Sequence, residues 1–254
     1  MDGTERLAAE IAFHDQQARQ RQGRFRTAAD FRFGDADYLD HETWIRPAME
    51  RLGNVTGQRV LDLGCGHAMA SVVLARRGAD VTAMDVSGGY LAEAGRRAAA
   101  NGVAVRFVQA DGERLPFADA TFDRVWGNAV LHHFDLARAG GEVRRVLRPG
   151  GVAVFCEPWG DNPLLAWARR RLPYPGKHRT RDEQPLSAAD LGALRVIFPT
   201  MTVDGYQLLG MARRVLGRGA VSRGLDWLDD RLLRHAPALS RFCRYVVLTL
   251  SRVG

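Results

Sequence analysis

The sequence predicts an α/β domain of the doubly wound type, in which helices cover both faces of a mostly parallel, seven-stranded sheet. Seven short runs are rich in apolar and β-branched residues, as strands are. Helical segments of about 10–15 residues separate the first five runs, and this alternation is typical of right-handed βαβ units. The chain has 254 residues, of which 46% are hydrophobic, and this is enough for one full core.

An N-terminal helical cap is predicted for residues 1–53, ahead of the first strand. Residues 5–22 carry apolar positions at helical spacing and form a weakly amphipathic helix. The stretch HETWIRPAMERLG is a second helix that ends at Gly53, because glycine readily adopts the left-handed conformation found at helix ends.

The central part, residues 54–157, contains the regular alternation of strands and helices. Its helices end at turn signals, which are Gly78, the pair Asn101-Gly102, and a Pro-Gly-Gly turn. The nearly all-apolar runs VTAM and VAVF are expected of strands buried on both faces. The five strand candidates of this part are RVLDLG, DVTAMD, VAVRFVQA, FDRVWGN and GVAVFCE.

Residues 158–254 do not continue the regular alternation of strands and helices. They are predicted to hold helical insertions and two closing strands, MTVDGYQLL and YVVLTLSRV. The net charge of the chain is +7, and residues 159–254 hold 16 basic against 8 acidic side chains. One interpretation is a set of solvated arginines that a GC-rich genome encodes by default. The other is an anionic substrate or an acidic membrane surface.

A basic amphipathic patch is predicted at Arg213, Arg214 and Arg218, which lie among leucines and a valine. Such a patch would cover a functional site, form a dimer contact or touch a membrane surface. An ordinary packing helix is the alternative.

The number and spacing of the cysteines and the hydropathy of the chain indicate the cellular compartment in which we expect the protein. Cys65, Cys156 and Cys243 fit neither a zinc spacing nor a disulfide framework, so we expect a reducing, cytoplasmic compartment. The sequence has no run of about 18 apolar residues and no recognisable secretory signal, so no membrane span is expected. No metal site is predicted.

The stretch RVLDLGCGHAMA, residues 59–70, predicts a ligand site at the end of a buried strand. A strand that ends in a glycine turn and opens a helix places backbone N–H groups and a positive helix end beside a ligand. Gly64 and Gly66 allow a close approach because they have no side chain. A dinucleotide fingerprint would need glycine where Met69 stands, and this disfavours nicotinamide and flavin cofactors. An ordinary tight turn is the alternative on this stretch alone.

Three acids, Asp62, Asp85 and Asp111, occur in or directly after successive strand candidates. Ligands of such sheets bind outside the carboxyl ends of the strands, so the three acids are expected to line one rim. Asp85 follows the glycines by about 20 residues, a spacing that suits hydrogen bonds to ribose hydroxyls. Gathered carboxylates suit a ligand with hydroxyls, an amine and a positive centre rather than a pyrophosphate.

Five motifs occur in order over residues 59–157, namely VLDLGCGHA, VTAMDVS, ADGERLPF, FDRVWGNAVLHHF and LRPGG. Together they resemble the successive motifs of class I S-adenosylmethionine-dependent methyltransferases. The resemblance implies a Rossmann-like sheet, S-adenosyl-L-methionine as the methyl donor and S-adenosyl-L-homocysteine as the product. One departure is Ala68, where the family most often has a third glycine.

The resemblance also implies a cofactor-binding set along the rim. The glycine turn would hold the methionine part of the cofactor, the second strand its ribose and adenine, the third strand the adenine amino group, and the fourth strand would border the transferred methyl. The implied residues, in that order, are Asp62, Gly64, Cys65 and Gly66; Asp85 and Val86; Asp111 and Gly112; and Asn128.

Four residues are candidates for catalysis or acceptor binding. His132 and His133 follow the fourth strand, where a neutral imidazole could take a proton from an acceptor; capping a helix or packing on the adenosine is the alternative. Glu157 ends the fifth strand and would hold an amine or a hydroxyl, unless it is a structural acid. Tyr38, like Trp44, lies in the cap and would offer an aromatic face to a sulfonium, unless it only packs there.

The predicted function is methyl transfer from S-adenosylmethionine to a small organic acceptor, with a specialised (natural-product) metabolite favoured. A lipid or quinone-like substrate at a membrane surface is the alternative within this class. A nicotinamide-dependent oxidoreductase or a non-catalytic cofactor-binding module is the alternative from another class. Methyltransferases that act on exocyclic amines of nucleic acids typically carry a [DNS]-P-P-[YFW] motif after the fourth strand. This chain has NAVL, residues 128–131, at that place, without a proline, so a nucleic-acid substrate is not expected. We expect a single domain that acts as a monomer or homodimer.

Overall fold

The fold is described from a computed structural model that covers residues 3–23, 25, 27–171, 184–217 and 219–254. Seven strands form one sheet, and their bounds are β1 Arg59–Leu63, β2 Asp80–Asp85, β3 Arg106–Gln109, β4 Phe122–Asn128, β5 Leu147–Pro158, β6 Thr202–Tyr206 and β7 Tyr245–Ser251. The spatial order is β3-β2-β1-β4-β5-β7-β6. The pairs from β3 to β5 are parallel, whereas β7 runs antiparallel to both of its neighbours. The predicted mostly parallel, seven-stranded sheet is confirmed.

Helices cover both faces of the sheet. Those in the described ranges are α1 Gly3–Gln22, α2 Asp35–Leu39, α3 Ile45–Leu52, α4 Met69–Arg76, α5 Gly88–Ala100, α6 Leu136–Val146, α7 Pro163–Arg171, α8 Leu191–Ile197, α9 Arg213–Leu216 and α10 Ala220–His235. Alternate residues of each strand face opposite sides. In β7, Leu248 lies in one apolar core and Val247 in the other. None of the helices in the described ranges combines the length and the apolarity needed to cross a membrane.

Side-chain caps fix the first turns of the helices that border the site. The Ser87 hydroxyl accepts a hydrogen bond from the Tyr90 N–H and caps α5, and the Asp135 carboxylate caps α6 in the same way. The helix α5 ends at Asn101-Gly102 as predicted, with Gly102 at a φ of +68°. Both α4 and α5 begin at the carboxyl edge of the sheet, directly after the turns that follow β1 and β2.

The N-terminal cap packs directly on the core. The helix α1 lies along α5, and α3 packs against β5. The Trp44 ring, just before α3, stacks on the Tyr245 ring of β7 with 3.7 Å between centroids. The cap is therefore tied to α5, to β5 and to the last strand, β7.

Element boundaries differ from the prediction at several places. The strand β5 begins at Leu147, so the predicted Pro-Gly-Gly turn lies inside the strand, and β6 ends at Tyr206 rather than at Leu209. The strand predicted over residues 103–110 is shorter, because the Val103 N–H donates to the Ala98 carbonyl at the end of α5 and cannot join the sheet. The basic segment after β6 is broken into α9, α10 and short 3₁₀ turns, since Gly217 ends α9 at a φ of +71°. Arg218 and the proline- and arginine-rich stretch 172–183 lie outside the described residues.

Candidate active site

A cavity of about 370 Å³ opens at the carboxyl ends of β1, β2 and β4, beneath α1. The whole cofactor-binding set predicted from the motifs lines it, together with Tyr38 and His133. The set is Asp62, Gly64, Cys65, Gly66, Asp85, Val86, Asp111, Gly112 and Asn128. Residues that lie far apart in the sequence are thus brought to one rim, as expected for parallel strands.

The turn after β1 needs its glycines for two different reasons. Gly64 has a φ of +67°, and a Cβ there would lie 2.3 Å from Cγ2 of Val130, so a side chain does not fit. Gly66 has a φ of +51° and open space around it, and its N–H donates to Oδ2 of Asp85 at 2.8 Å. Ala68 also adopts a positive φ, +61°, which explains why glycine is the residue expected at this position.

Asp85 connects the glycine turn with the start of α5. Its carboxylate oxygens accept hydrogen bonds from the N–H groups of Gly66 and Ser87, at 2.8 and 2.9 Å. Burial raises the pKa of Asp85, although these hydrogen bonds act in the opposite direction. Each carboxylate oxygen can accept a second hydrogen bond, so the group retains capacity for ligand hydroxyls.

Asp62 is the most deeply buried acid of the cavity, with 2% of its surface exposed. Its Oδ2 accepts a hydrogen bond of 2.5 Å from the Ser71 hydroxyl, which is a neutral donor. Burial raises the pKa of Asp62 to about 7. Burial disfavours the ionised form of this carboxyl group, and a positively charged ligand nearby would stabilise that form. The position therefore favours a cationic ligand.

The third and fourth strands contribute the far side of the cavity. Gly112 lies against the Phe134 ring, where a Cβ would come within 2.3 Å of a ring carbon. Oδ1 of Asp111 accepts a hydrogen bond from the Glu113 N–H at 2.9 Å. Oδ1 of Asn128 is buried and has no hydrogen-bond partner among the described residues. This oxygen is a ready acceptor for a donor group on a bound molecule.

The helix α1 forms a wall of the cavity that sequence reasoning missed. Its contact side carries Arg6, Leu7, Glu10, His14 and Gln17. The helix is held at the start of α5, where Asp15 accepts hydrogen bonds from the Ser87 hydroxyl at 2.5 Å and the Gly89 N–H at 3.1 Å. Weak amphipathicity predicted the helix, but no pattern in it indicated which residues face a ligand.

Glu10, His14 and His133 form a cluster in this wall. Oε2 of Glu10 lies 3.1 Å from Nε2 of His14 and 3.3 Å from Nδ1 of His133. Burial acts to raise the pKa of Glu10, but the two histidines outweigh it and hold the pKa well below its usual range. Burial likewise acts to lower the pKa of His14, and the neighbouring Glu10 and Asp85 raise it above its ordinary value.

His132 and Glu157 are paired with each other and do not line the cavity. Nδ1 of His132 lies 2.7 Å from Oε2 of Glu157, while Oε1 of Glu157 accepts hydrogen bonds from the N–H groups of Val130 and Leu131. The His132 ring packs on the His133 ring with 4.2 Å between centroids. The pair therefore braces the turn that presents His133 to the cavity.

The two cap aromatics occupy different places. Tyr38 lines the cavity next to Asp62, and burial raises its pKa well above the ordinary value for tyrosine. Trp44 stacks on Tyr245 instead and does not line the cavity. Of the two candidates for a cation–π contact, the structure places only Tyr38 beside the ligand space.

Two further features lie away from this cavity. A second cavity, of about 850 Å³, lies between α3, β6 and α10, and none of the predicted site residues lines it. In the predicted basic patch, Arg213 lies 3.9 Å from Glu42 and Leu216 is exposed. Arg218, the third arginine of that patch, is outside the described residues.

Comparison with known sequences shows that this chain is similar to proteins named as methyltransferases. The family profile described as a methyltransferase domain matches residues 61–155. The chain is 39% identical over 177 residues to a malonyl-[acyl-carrier protein] O-methyltransferase of Enterobacter lignolyticus, covering 68% of each protein. It is 42% identical over 127 residues to a demethylmenaquinone methyltransferase of Beutenbergia cavernae, covering 48% of this chain and 51% of that protein. The second match thus spans about half of the relative.

Solved structures share the fold at low sequence identity. The [4+2]-cyclase SpnF superposes with a TM-score of 0.55 at 23% identity, covering 82% of this chain and 80% of that one. Geranyl diphosphate C-methyltransferase from Streptomyces coelicolor, solved with Mg²⁺, geranyl diphosphate and S-adenosyl-L-homocysteine, gives a TM-score of 0.56 at 19% identity, covering 82% and 78%. The sheet order, the rim of acids and glycines, and the sequence relatives agree. The chain belongs to the class I S-adenosylmethionine-dependent methyltransferases.

Proposed function

We propose that this enzyme methylates a small specialised (natural-product) metabolite with S-adenosylmethionine, and that the 370 Å³ cavity holds the cofactor. The observation that carries the proposal is the convergence of nine motif residues from four strands on one cavity. The volume lies at the lower end of the range of roughly 300–1,000 Å³ found for ligand pockets. The acceptor would approach from the open side of the same cavity.

The residues present fit the cofactor. Two buried acids, Asp62 and Asp85, have raised pKa values and would be stabilised in their ionised form by an ammonium and a sulfonium group nearby. The unpartnered Oδ1 of Asn128 would accept a hydrogen bond from the ligand. When bound, S-adenosylmethionine supplies a methyl group activated by a sulfonium centre.

Each residue of the rim has a role in this proposal. Asp62 would face the amine of the methionine part, which Gly64 and Gly66 would allow close to the backbone. Asp85 would accept from the ribose hydroxyls. The adenine would be enclosed by Val86, Asp111 and Gly112. Asn128 would border the transferred methyl group, and Cys65 would lie in the glycine turn.

On the acceptor side, the chain contributes alignment, exclusion of water and one group able to accept a proton. Because the methyl donor is already activated, positioning and desolvation can supply much of the rate enhancement. Tyr38 would offer its ring to the sulfonium. His133 would accept a proton from an acceptor that loses one, and the His132–Glu157 pair would hold His133 in place.

We infer that residues 1–254 act as one methyltransferase domain. In it, 1–53 would cap the site, 54–157 would bind the cofactor, and 158–254 would shape the acceptor side and close the sheet. We further propose that the methyl acceptor is a small molecule and not a nucleic acid. The enzyme would act in the cytoplasm as a monomer or homodimer.

A lipid or quinone-like acceptor is a second candidate, and exposed side chains favour it. Trp167 on α7 and Trp227 on α10 are both more than half exposed, and the Arg231 guanidinium lies 4.6 Å from the Trp227 ring. Tryptophan beside arginine suits a membrane surface. The demethylmenaquinone methyltransferase named above is the relative whose substrate would fit this arrangement.

Calorimetric titration with S-adenosylhomocysteine, and separately with NAD and NADP, tests the proposed site. We expect micromolar binding of the first alone. Asp85→Ala should weaken this binding by about 1–3 kcal/mol, the loss expected for hydrogen bonds in a buried site. Asp80→Ala, at the exposed start of the same strand, is the control and should bind as the wild type does.

The structural role of Asp85 requires a second variant, because its carboxylate also holds the glycine turn. Asp85→Asn keeps the shape and one acceptor, and both variants should be compared with the wild type by thermal unfolding. Unchanged affinity in both would remove Asp85 from the site. Binding of a nicotinamide cofactor alone would overturn the proposal. Release of S-adenosylhomocysteine with candidate acceptors then separates an enzyme from a module that only binds.

A further inference from the structure

The cluster of Glu10, His14 and His133 has the composition and spacing of a metal site. Two imidazole nitrogens and one carboxylate oxygen all lie within 4.8 Å of one another. Two histidines and one carboxylate with an open position form a recurrent set for Zn²⁺ and for other divalent transition metals. Glu10 and His14 lie outside the cofactor-binding motifs, whereas His133 belongs to the fourth motif, FDRVWGNAVLHHF.

The two distances from Glu10 are compatible with ligands of one ion as well as with ion pairs, and all three ligand atoms lie within 4.8 Å of one another. Oε2 of Glu10 lies 3.1 Å from Nε2 of His14 and 3.3 Å from Nδ1 of His133. Ligand atoms around a tetrahedral ion with bonds of about 2.0–2.1 Å lie about 3.3 Å apart. The Nδ1 atom of His133 is buried and makes no hydrogen bond of normal geometry within the described residues.

The scaffold holds the three side chains in place. Glu10 and His14 are four residues apart on α1 and therefore lie on the same face of the helix. His133 is presented from the opposite wall by the turn that the His132–Glu157 pair braces. All three line the cavity, so an open coordination position would receive its ligand from the cavity.

We propose that Glu10, His14 and His133 bind one divalent transition-metal ion, such as Zn²⁺, at the wall of the cavity. The open position suits an oxygen or nitrogen lone pair of the methyl acceptor, which the ion would orient and, for a hydroxyl, acidify. In the metal-bound protein this action of the ion takes the place of proton acceptance by His133, whose Nδ1 lone pair is then used for coordination. This second part rests on the proposed function, whereas metal binding itself does not. The ion would also fasten α1 to the core.

Metal binding is measured on the full chain, stripped with a chelator and without cofactor or acceptor. Titration with Zn²⁺ should show about one equivalent bound, and Co²⁺ should give a visible absorption band without a thiolate charge-transfer band. Since loss of an outer-shell partner alone costs about 10–100-fold in affinity, His14→Ala should weaken Zn²⁺ binding at least about tenfold. Glu10→Gln should do the same.

His235→Ala is the matched control, because His235 is exposed on α10, far along the chain from the cluster. It should bind Zn²⁺ as the wild type does. Absence of stoichiometric binding of Zn²⁺, Co²⁺, Ni²⁺, Mn²⁺ and Fe²⁺ by the wild type would overturn the proposal. So would undiminished binding in both His14→Ala and Glu10→Gln. Circular dichroism and thermal unfolding of every variant show that it is folded, and titration with S-adenosylhomocysteine reports separately on the cofactor site.

Discussion

Asp62 is a carboxylic acid in an apolar, buried position, and without a ligand burial there disfavours its ionised form. It lies in β1 between Leu61 and Leu63, which are apolar and fully buried, yet it carries a carboxyl group. Burial raises its pKa from an ordinary 3.8 to about 7 in the folded protein. The residue thus carries a cost in stability that a cationic ligand would offset, as is common at binding sites.

The free energy of unfolding should therefore fall as the pH rises from about 4 to about 7. Over this interval the folded protein holds a proton on Asp62 that the unfolded chain has released, and each unit of pKa difference is worth roughly 1.4 kcal/mol. Asp62→Asn removes this titration while it keeps the hydrogen bond with Ser71. Urea unfolding of the ligand-free proteins at pH 5 and 8 should show a smaller loss in the variant. An equal loss in both proteins would contradict the raised pKa.

The residues of the candidate site divide by how their positions are encoded. Strand ends and glycines are local signals, so Asp85, Asp111 and Gly66 could be placed from the sequence. Glu10 and His14 could not, because a cavity-facing residue on an ordinary amphipathic helix has no local mark. The pairing of His132 with Glu157 depends on the register between β4 and β5, which sequence spacing does not specify.

Among the elements, the junction between the cap and the sheet includes one large aromatic contact in addition to the packing of α3 on β5. The Trp44 and Tyr245 rings are stacked at 3.7 Å, and Trp44 is almost fully buried. Helix ends were predictable where glycine marks them, as at Gly53 and Gly102. The helices after β6 were predicted less well, because their positions follow from packing against one another and against β6.

Trp44→Ala should lower the free energy of unfolding by about 3–5 kcal/mol, since it removes a large buried ring and leaves a cavity. Trp227→Ala, on the exposed side of α10, should cost less than about 1 kcal/mol. Guanidinium unfolding followed by circular dichroism measures both. Similar losses in the two variants would mean that the stacked pair does not hold the cap.

At the scale of the whole molecule, β7 joins the parallel part of the sheet to its edge. Val247 pairs with Cys156 of β5 on one side and with Asp204 of β6 on the other. The alternation of strands and helices predicted the parallel part. The antiparallel insertion of β7 between β5 and β6 had no local signal, because pairing between distant strands is decided by the assembled core.

Val247→Pro should abolish the cooperative fold, because proline cannot donate a hydrogen bond in the middle of a sheet. Val253→Pro lies just after β7 at an exposed position and should leave stability unchanged. The yield of soluble protein and the thermal unfolding transition distinguish the two. A cooperative transition near the wild-type temperature in Val247→Pro would refute the central role of β7.

The position of β7 also fixes when the protein can finish folding in a cell. Of the seven strands, Tyr245–Ser251 is the last to leave the ribosome, yet it must enter between two strands made before it. Until then β5 and β6 each expose an unpaired edge, and such edges template aggregation. Folding of the sheet is therefore completed only after this strand has emerged, because until then β5 lacks one neighbour and β6 lacks the strand with which it pairs.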